Sequence, residues 1–312
     1  MRRILVIGAS GFLGKHIALA LLADGYAVRG LARNPSRVQD LAKAGCEIVQ
    51  GDISDLASLH QALESVQAAY ISVHTLSPQH ADTAGQGFME IEMNGLQNIV
   101  TASQVCGVRR LIYVTSLGIA PDASNTWVRE RWKTEQLLLH SGLDVTVIRP
   151  GQIVGVGGRG FDMMVSQAKR PVSMNLFGGG RLKMRNIAVD DLVYYLVGVL
   201  NDPRAYGQCY DVGCDDLLTN NQMIDMTAEL LGRHHPIKLD VPRTLLRAVA
   251  PLIERAGKLP KGSIKGVLDG IQTDLNGDPM PIRSILPRPP LSYRQAVQRA
   301  LSGSTNIRPQ AG

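Results

Sequence analysis

Through its first 150 residues the chain alternates short apolar runs with helical segments, and this alternation constrains the fold more than any single residue. The runs RILVIG, YAVRGLAR, CEIVQGD, AAYISVHT, RRLIYVTSLG and LDVTVIRPG are rich in Val and Ile. They are near-continuously apolar, as strands buried on both faces of a parallel sheet are. Between them KHIALALLADG, SRVQDLAKAG, DLASLHQALESV, FMEIEMNGLQNIVTASQVCG and WVRERWKTEQLLLHSG read as helices. The first of these places Ile17, Leu21 and Leu22 on one face and stops at Gly25. The expected fold is α/β, a doubly wound parallel sheet with helices on both faces.

The joint after the first run reads GASGFLG, with Gly8, Gly11 and Gly14 evenly spaced. Gly8 can turn the chain at the strand end, Gly11 lets a backbone approach a pyrophosphate, and Gly14 lets the next helix pack on the sheet. A helix starting near Phe12 aims free N–H groups and a positive dipole end at the phosphates, and Ser10 adds a hydroxyl. Glycines alone are a weak signal, but the strand before and the helix after are the context that a dinucleotide loop requires. After the second run, where an Asp or Glu about 20 residues on would read an NAD ribose, the chain has LARNPSR, with Arg33 and Arg37 and no carboxylate. A guanidinium matches a 2′-phosphate in charge and fork geometry, so NADP(H) is favoured over NAD(H). Asp52, after the third run, suits an adenine amino group or the start of the next helix. Residues 1–155 are thus expected to form a Rossmann-type NAD(P)-binding domain, its sheet completed by segments around 182–214. Residues 156–312 are expected to form a smaller, mixed substrate lobe. There QIVGVGGRG and LFGGGRL read as Gly-rich loops, IAVDDLVYYLVGVLND and QMIDMTAELLG as helices and QCYDVG as a strand. The Pro-punctuated text from Val241 reads as helices and loops, closed by SYRQAVQRAL.

Composition narrows the function classes. The net charge of +6 suits an anionic small ligand, but no Lys/Arg block or aromatic-interleaved basic stripe supports nucleic-acid binding. Cys46, Cys106, Cys209 and Cys214 form no CxxC pair, and the adjacent His234 and His235 stand apart from them, so no metal site is expected. The apolar run after Met1-Arg2-Arg3 breaks at Gly8, too early for a signal peptide, and LVYYLVGVL is far shorter than a membrane span. A cytoplasmic protein is expected, and its oligomeric state is not legible.

GASGFLG, QGDIS, NGLQN, YVTSLG and VIRPGQIVG, in that order, resemble the short-chain dehydrogenase/reductase superfamily, in its extended and atypical branch of epimerase/dehydratase-like and NmrA-like proteins. The resemblance covers roughly residues 1–200 and implies a seven-stranded sheet, a nicotinamide cofactor and a site between the strand ends and the small lobe. It also implies roles: Gly8, Ser10, Gly11, Phe12, Leu13 and Gly14 on the phosphate loop, Arg33 on the 2′-phosphate, Asp52 and Ile53 at the adenine. Ser72, Val73 and His74 fall beside the ribose, Thr115 and Ser116 on the catalytic strand, Lys133 on the nicotinamide ribose, and Pro150 and Ile153 near the nicotinamide.

The resemblance breaks at one point. Catalysis in that superfamily uses Tyr-x-x-x-Lys, whose phenol passes a proton while hydride moves. Here the helix reads Trp127-Val-Arg129-Glu-Arg131-Trp132-Lys133, with Arg129 four residues before Lys133. A guanidinium does not titrate in the useful range. Tyr113 is expected in the core or wall, and Trp127 and Trp132 either stack on a planar ligand or anchor the helix. Lys133, with Ser116, is the candidate catalytic pair, and His74 or a water on Ser116 are weaker candidates. Arg159, Arg181, Lys183 and Arg185 are either a solvated rim or a site for an acidic group. Three functions stay open: an oxidoreductase on a small carbonyl or quinone-like substrate, a silent NADP(H)-binding redox sensor or assembly subunit that binds a partner protein, and a sugar-nucleotide epimerase/dehydratase.

Overall fold

The computed structural model describes residues 3–73, 88–123, 126–175, 180–256 and 274–303. In chain order the elements are β1 (Arg3–Ile7), α1 (Phe12–Ala23), β2 (Ala27–Ala32), α2 (Gln39–Lys43), β3 (Glu47–Gln50), α3 (Leu56–Leu63) and β4 (Ala68–Ile71). There follow α4 (Phe88–Val105), β5 (Arg110–Val114), α5 (Thr126–Leu139), β6 (Asp144–Pro150) and β7 (Gln152–Val154). The rest comprises α6 (Arg159–Ala168), β8 (Val172–Asn175), β9 (Lys183–Ala188), α7 (Val189–Gly198), β10 (Gln208–Val212) and β11 (Leu217–Thr219). The chain closes with α8 (Asn220–Leu230), β12 (Ile237–Asp240), α9 (Arg243–Ala256), α10 (Met280–Ile285) and α11 (Tyr293–Leu301).

The main sheet has seven parallel strands in the order β3-β2-β1-β4-β5-β6-β10. Helices cover both faces, because the strand residues are apolar on both. Ile4 and Val6 point toward α1 and α7, packing with Ile17, Leu21, Leu192 and Leu196. Leu5 and Ile7 point the other way, toward Leu59, Leu63, Leu96 and Ile99 of α3 and α4. The chain winds outward from β1 to β3 and then returns to β4 on the other side of β1. The strand order therefore reverses between β1 and β4, and ligands of such sheets bind in the crevice beyond the strand ends at that point.

Of the stretch 182–214 that was expected to complete the sheet, Gln208–Val212 does so, beside β6. Lys183–Ala188 instead joins β7 and β11 in a separate three-stranded sheet. Its first residues, KMRN, leave Lys183 exposed and Met184 and Arg185 half-buried, which a strand buried on both faces does not tolerate. QIVGVGGRG, read as a loop from its glycines, opens with β7, which pairs with Asn186–Ala188. A third cluster, with Phe161, Met164, Met223, Ile224 and Tyr293, forms the core of the small lobe.

Candidate functional site

The crevice at the switch point is lined first by the glycine loop. Gly8 turns the chain at φ +91°, a left-handed value that suits glycine. A Cβ there would stand 2.4 Å from the Ser72 carbonyl oxygen, so the loop and the end of β4 lie in contact. A Cβ on Gly14 would stand 2.2 Å from the Gly8 carbonyl oxygen, so α1 reaches the loop because that side chain is absent. Gly11 differs: the nearest atom to its Cβ position is the Gly8 carbonyl oxygen at 3.2 Å, and the rest is open. Gly11 also begins α1 and offers no capping side chain. The first-turn N–H groups have no intrahelical acceptor, and the helix dipole adds partial positive charge there. That open, donor-rich cradle fits a pyrophosphate. Leu13 is buried in the core. The Phe12 ring tilts over His16, with centroids 4.6 Å apart, and packs on the loop from Gly155 to Gly158. Neither side chain points into the space beside Gly11, which leaves only their backbone N–H groups at the start of α1.

The next group stands at the ends of β2 and β3. Arg33 Nε lies 3.8 Å from Asp52 Oδ2, both side chains partly exposed. Asp52 Oδ1 accepts from Ser54 N at 2.9 Å and Ser54 Oγ at 2.8 Å, which forms a turn. The N-cap of α3 is Asp55, which accepts from Ala57 N. Asp55, three residues past Asp52, starts that helix, which corrects the helix-start role expected of Asp52. Ile53 is clamped from α4: Asn98 Nδ2 donates to its carbonyl at 3.0 Å, and Gly95 leaves room for its side chain. These two residues explain the NGLQN stretch, whose role was not legible. Ser72 N donates to the Ile7 carbonyl at 2.9 Å, and Val73 is half-buried beside it. His74 lies outside the described residues.

Beyond β5 the chain is pinned to β6: Thr115 N donates to the Ile148 carbonyl at 2.9 Å and Leu117 N to the Pro150 carbonyl at 3.1 Å. Ser116 sits between these two bonds. Its hydroxyl is buried and has no hydrogen-bond partner among the described residues. Ile153, on β7 opposite Ile187, packs under this edge with the core. Thr115 Oγ1 donates to Glu135 Oε1 at 2.7 Å, and Arg149 Nε donates to both Glu135 oxygens at 3.0 and 3.1 Å.

A second buried pair lies one turn earlier on α5. Arg131 Nη2 contacts Glu92 Oε2 of α4 at 2.8 Å, and Tyr113 donates its hydroxyl to Glu92 Oε1 at 2.7 Å. Burial first, and the Glu92 charge second, push the Tyr113 phenol well above its usual value. Tyr113 is a core residue, within the expectation of core or wall, and is unsuited to proton transfer near neutrality. Sequence reading missed Glu92, Arg131, Glu135 and Arg149. The available signal was Arg149 inside an apolar strand and Arg131 and Glu135 at i, i+4 on one face of α5.

Arg129 and Lys133 share another face of α5. Arg129 Nη1 donates to the Ala123 carbonyl at 2.8 Å, and Lys133 Nζ, well exposed, donates to Glu130 Oε1 at 2.7 Å. Trp132 is half-buried, and the side chain of Trp127 lies outside the described residues. Past β6 the small lobe holds a cavity of about 270 Å³, lined by Gln152, Met163, Met164, Met174, Met184 and Leu275 among others. No helix among the described residues is long and apolar enough to cross a membrane.

A strand, a glycine turn and an uncapped helix at the switch point of a parallel sheet define a Rossmann-type dinucleotide-binding protein. The chain belongs to the NAD(P)H-binding family whose model matches residues 8–203. It is 27% identical over 281 residues to sterol demethylase protein B of Methylococcus capsulatus, covering 80% of each chain. It is 26% identical over 286 residues to (4-alkanoyl-5-oxo-2,5-dihydrofuran-3-yl)methyl phosphate reductase of Streptomyces griseus, covering 88% of this chain and 93% of the relative. Its fold resembles that of the NADPH-dependent quinone oxidoreductase of Escherichia coli solved with NADPH, at TM-score 0.70 and 19% identity over 96% of this chain and 99% of the other.

Proposed function

We propose that the chain is an NADP(H)-dependent oxidoreductase that reduces a small carbonyl or quinone-like group at the C-terminal edge of the sheet. The observation that carries this reading is the Ser116 hydroxyl, buried just past the end of β5 with no partner among the described residues. Buried hydroxyls are almost always satisfied, so a fixed donor at this edge is expected to serve a bound group. The reductase and quinone oxidoreductase likenesses support the reaction class and the cofactor.

In this reading the N–H groups of α1 and Ser10 hold the pyrophosphate, Arg33 takes the 2′-phosphate and Asp52 accepts from the adenine amino group. Ser72, Val73, Pro150 and Ile153 shape the crevice toward the nicotinamide. A bound nicotinamide supplies the hydride. Ser116 donates a hydrogen bond to the substrate oxygen and holds the carbonyl in place. Lys133 delivers the proton that this oxygen needs once its carbon has accepted hydride. Glu130 keeps the Lys133 ammonium beside α5, and Arg129, tied to Ala123, gives no proton of its own.

NADPH and NADH titrations of the parent chain and of Arg33→Ala test the cofactor assignment. Loss of a charged contact is expected to weaken NADPH about 10- to 100-fold and to leave NADH unchanged; equal affinities in the parent chain overturn it. NADPH oxidation with a panel of quinones and aldehydes then tests the chemistry. Ser116→Ala is expected to keep the cofactor and lose turnover, Lys133→Ala to lose turnover and weaken NADPH, and unchanged turnover in Lys133→Ala removes that lysine. Arg129 in the place of the phenol favours one other reading, a silent NADP(H)-binding sensor or assembly subunit. Tight NADPH binding without oxidation by any member of the panel selects it.

A further inference from the structure

The cavity of the small lobe has no role in the reading above. It lies between α6, β7, β8 and β9, and four methionines (Met163, Met164, Met174 and Met184) form most of its wall, with Leu182 and Leu275. The polar groups that reach it, Gln152, Gln167 and Asn220, are neutral. Gln167 is already engaged, its side-chain oxygen accepting from Ser173 Oγ at 2.7 Å. No charged side chain belongs to the wall among the described residues. Arg185 alternates with Met184 on β9, and its guanidinium is taken by backbone carbonyls, those of Cys214 at 2.9 Å and Asp215 at 3.1 Å and that of Asn276. Arg181 is exposed and lies 3.9 Å from Asp240, which makes it rim rather than wall.

The cavity adjoins the reacting edge. Leu275 lines it and also touches the chain after β5: a Cβ on Gly118, two residues past Ser116, would stand 2.5 Å from Leu275 Cδ2. Gln152, on its wall, is two residues past Pro150. A diphosphate brought against such a wall loses hydration without gaining a cation, whereas an alkyl chain gains contact along its length. Methionine, unbranched and polarizable, moulds to chains of varied shape. The volume lies just below the range of roughly 300–1,000 Å³ found for small-molecule sites, which suits a chain or a single ring.

We propose that this cavity receives the alkyl chain of the substrate, so that the protein acts on alkyl ketones or alkyl-substituted quinones and not on sugar nucleotides. The inference rests on the reductase reading and specifies its substrate class. Gly160 provides the test, because a Cβ there meets nothing closer than Gln152 Nε2 at 3.6 Å. A larger side chain at that point enters the cavity without straining the fold. Met163, about half exposed, accepts a charge without core damage.

The experiment is calorimetric titration of 2-alkanones, from pentanone to decanone, into the full chain with NADP+, which has no hydride to give, alongside NADPH oxidation with the same ketones, for the parent, Gly160→Leu and Met163→Glu. In the parent, affinity is expected to rise roughly three- to fourfold per methylene until the cavity is full. Both variants are expected to flatten the series while pentanone and NADP+ bind as before. A flat series in the parent, no binding at any length, or tighter binding of UDP-glucose than of decanone overturns the assignment. Equal weakening of pentanone and decanone by both variants overturns it too. Chain-length-dependent binding without turnover removes the reductase reading and leaves the cavity assignment standing. Turnover without chain-length dependence does the reverse.

Discussion

At the β1–α1 side of the crevice the decisive atoms are missing ones, while at the α5 side they are charges packed out of water. Gly8 and Gly14 make the loop because a Cβ on either would stand within 2.4 Å of a carbonyl oxygen. α5 is instead held by Arg131 on Glu92 and by Glu135 on Thr115 and Arg149, partners supplied by α4, the chain just past β5, and β6. The comparison separates two ways of fixing a site. A loop that must take one backbone shape needs particular residue types at particular positions, and the need is local. A helix that must present Arg129 and Lys133 at one angle needs partners from elsewhere in the chain, and no local rule names them.

The largest expected effect breaks the α5 side. Glu92→Ala removes the carboxylate that the buried Arg131 contacts, and loss of one partner of a buried ion pair costs about 3–5 kcal/mol. Chemical denaturation of the parent and variant measures it. Combining Glu92→Leu with Arg131→Met is expected to restore most of that loss, because well-packed apolar replacements of a buried pair are often neutral. A double variant as unstable as the single would show that the hydrogen bond from the Tyr113 hydroxyl to Glu92 matters more than the charge pair.

The matching break on the loop side is Gly8→Ala. Holding a non-glycine residue at a positive φ costs about 1–3 kcal/mol, and the new Cβ must also push Ser72 away. A smaller loss of stability is expected than for Glu92→Ala, with nicotinamide nucleotide binding weakened more than tenfold, read by thermal melting and titration. The reverse ranking, a large stability loss with binding intact, would mean that the loop is a structural hinge and not a cradle.

The same contrast explains what was legible in the sequence. The strands, the helices of the first half and the glycine loop follow from periods and residue types within a few positions of each other. β7 was missed because Gly155, Gly157 and Gly158 follow it so closely that three residues of strand vanish into a loop signal. Only pairing with Asn186–Ala188, more than thirty residues on, makes them a strand. Glu92 and Arg131 are separated by 39 positions, and each taken alone looks like an ordinary surface charge on a helix. The methionine cavity gathers residues from α6, β8 and β9 and from the loop before α10, none of which carries a motif.

The smallest expected effect sharpens the comparison from a third place, the β2–β3 edge. Arg29 is buried there and donates to Glu47 Oε1 at 2.9 Å, but also to the carbonyls of Gln61, Ala62 and Glu64. The Arg29 hydrogen bond, with its charge and that of Arg3, holds the Glu47 carboxyl below the usual glutamate value of 4.5. A carboxyl whose value falls on folding stabilises the fold fully above the unfolded value. That stabilisation disappears as pH falls through the folded one. Glu47 is nearly half exposed, so solvent screens the pair, and Glu47→Gln is expected to cost about 0.2–1 kcal/mol at pH 7. The gap between variant and parent should close as acid protonates Glu47, as read by denaturation at several pH values. Three carbonyls still hold Arg29 when Glu47 is neutral, which is why this buried guanidinium survives the loss of its carboxylate. A cost at pH 7 as large as that of Glu92→Ala would mean that those carbonyls do not compensate, and that both buried arginines depend on their carboxylates alike.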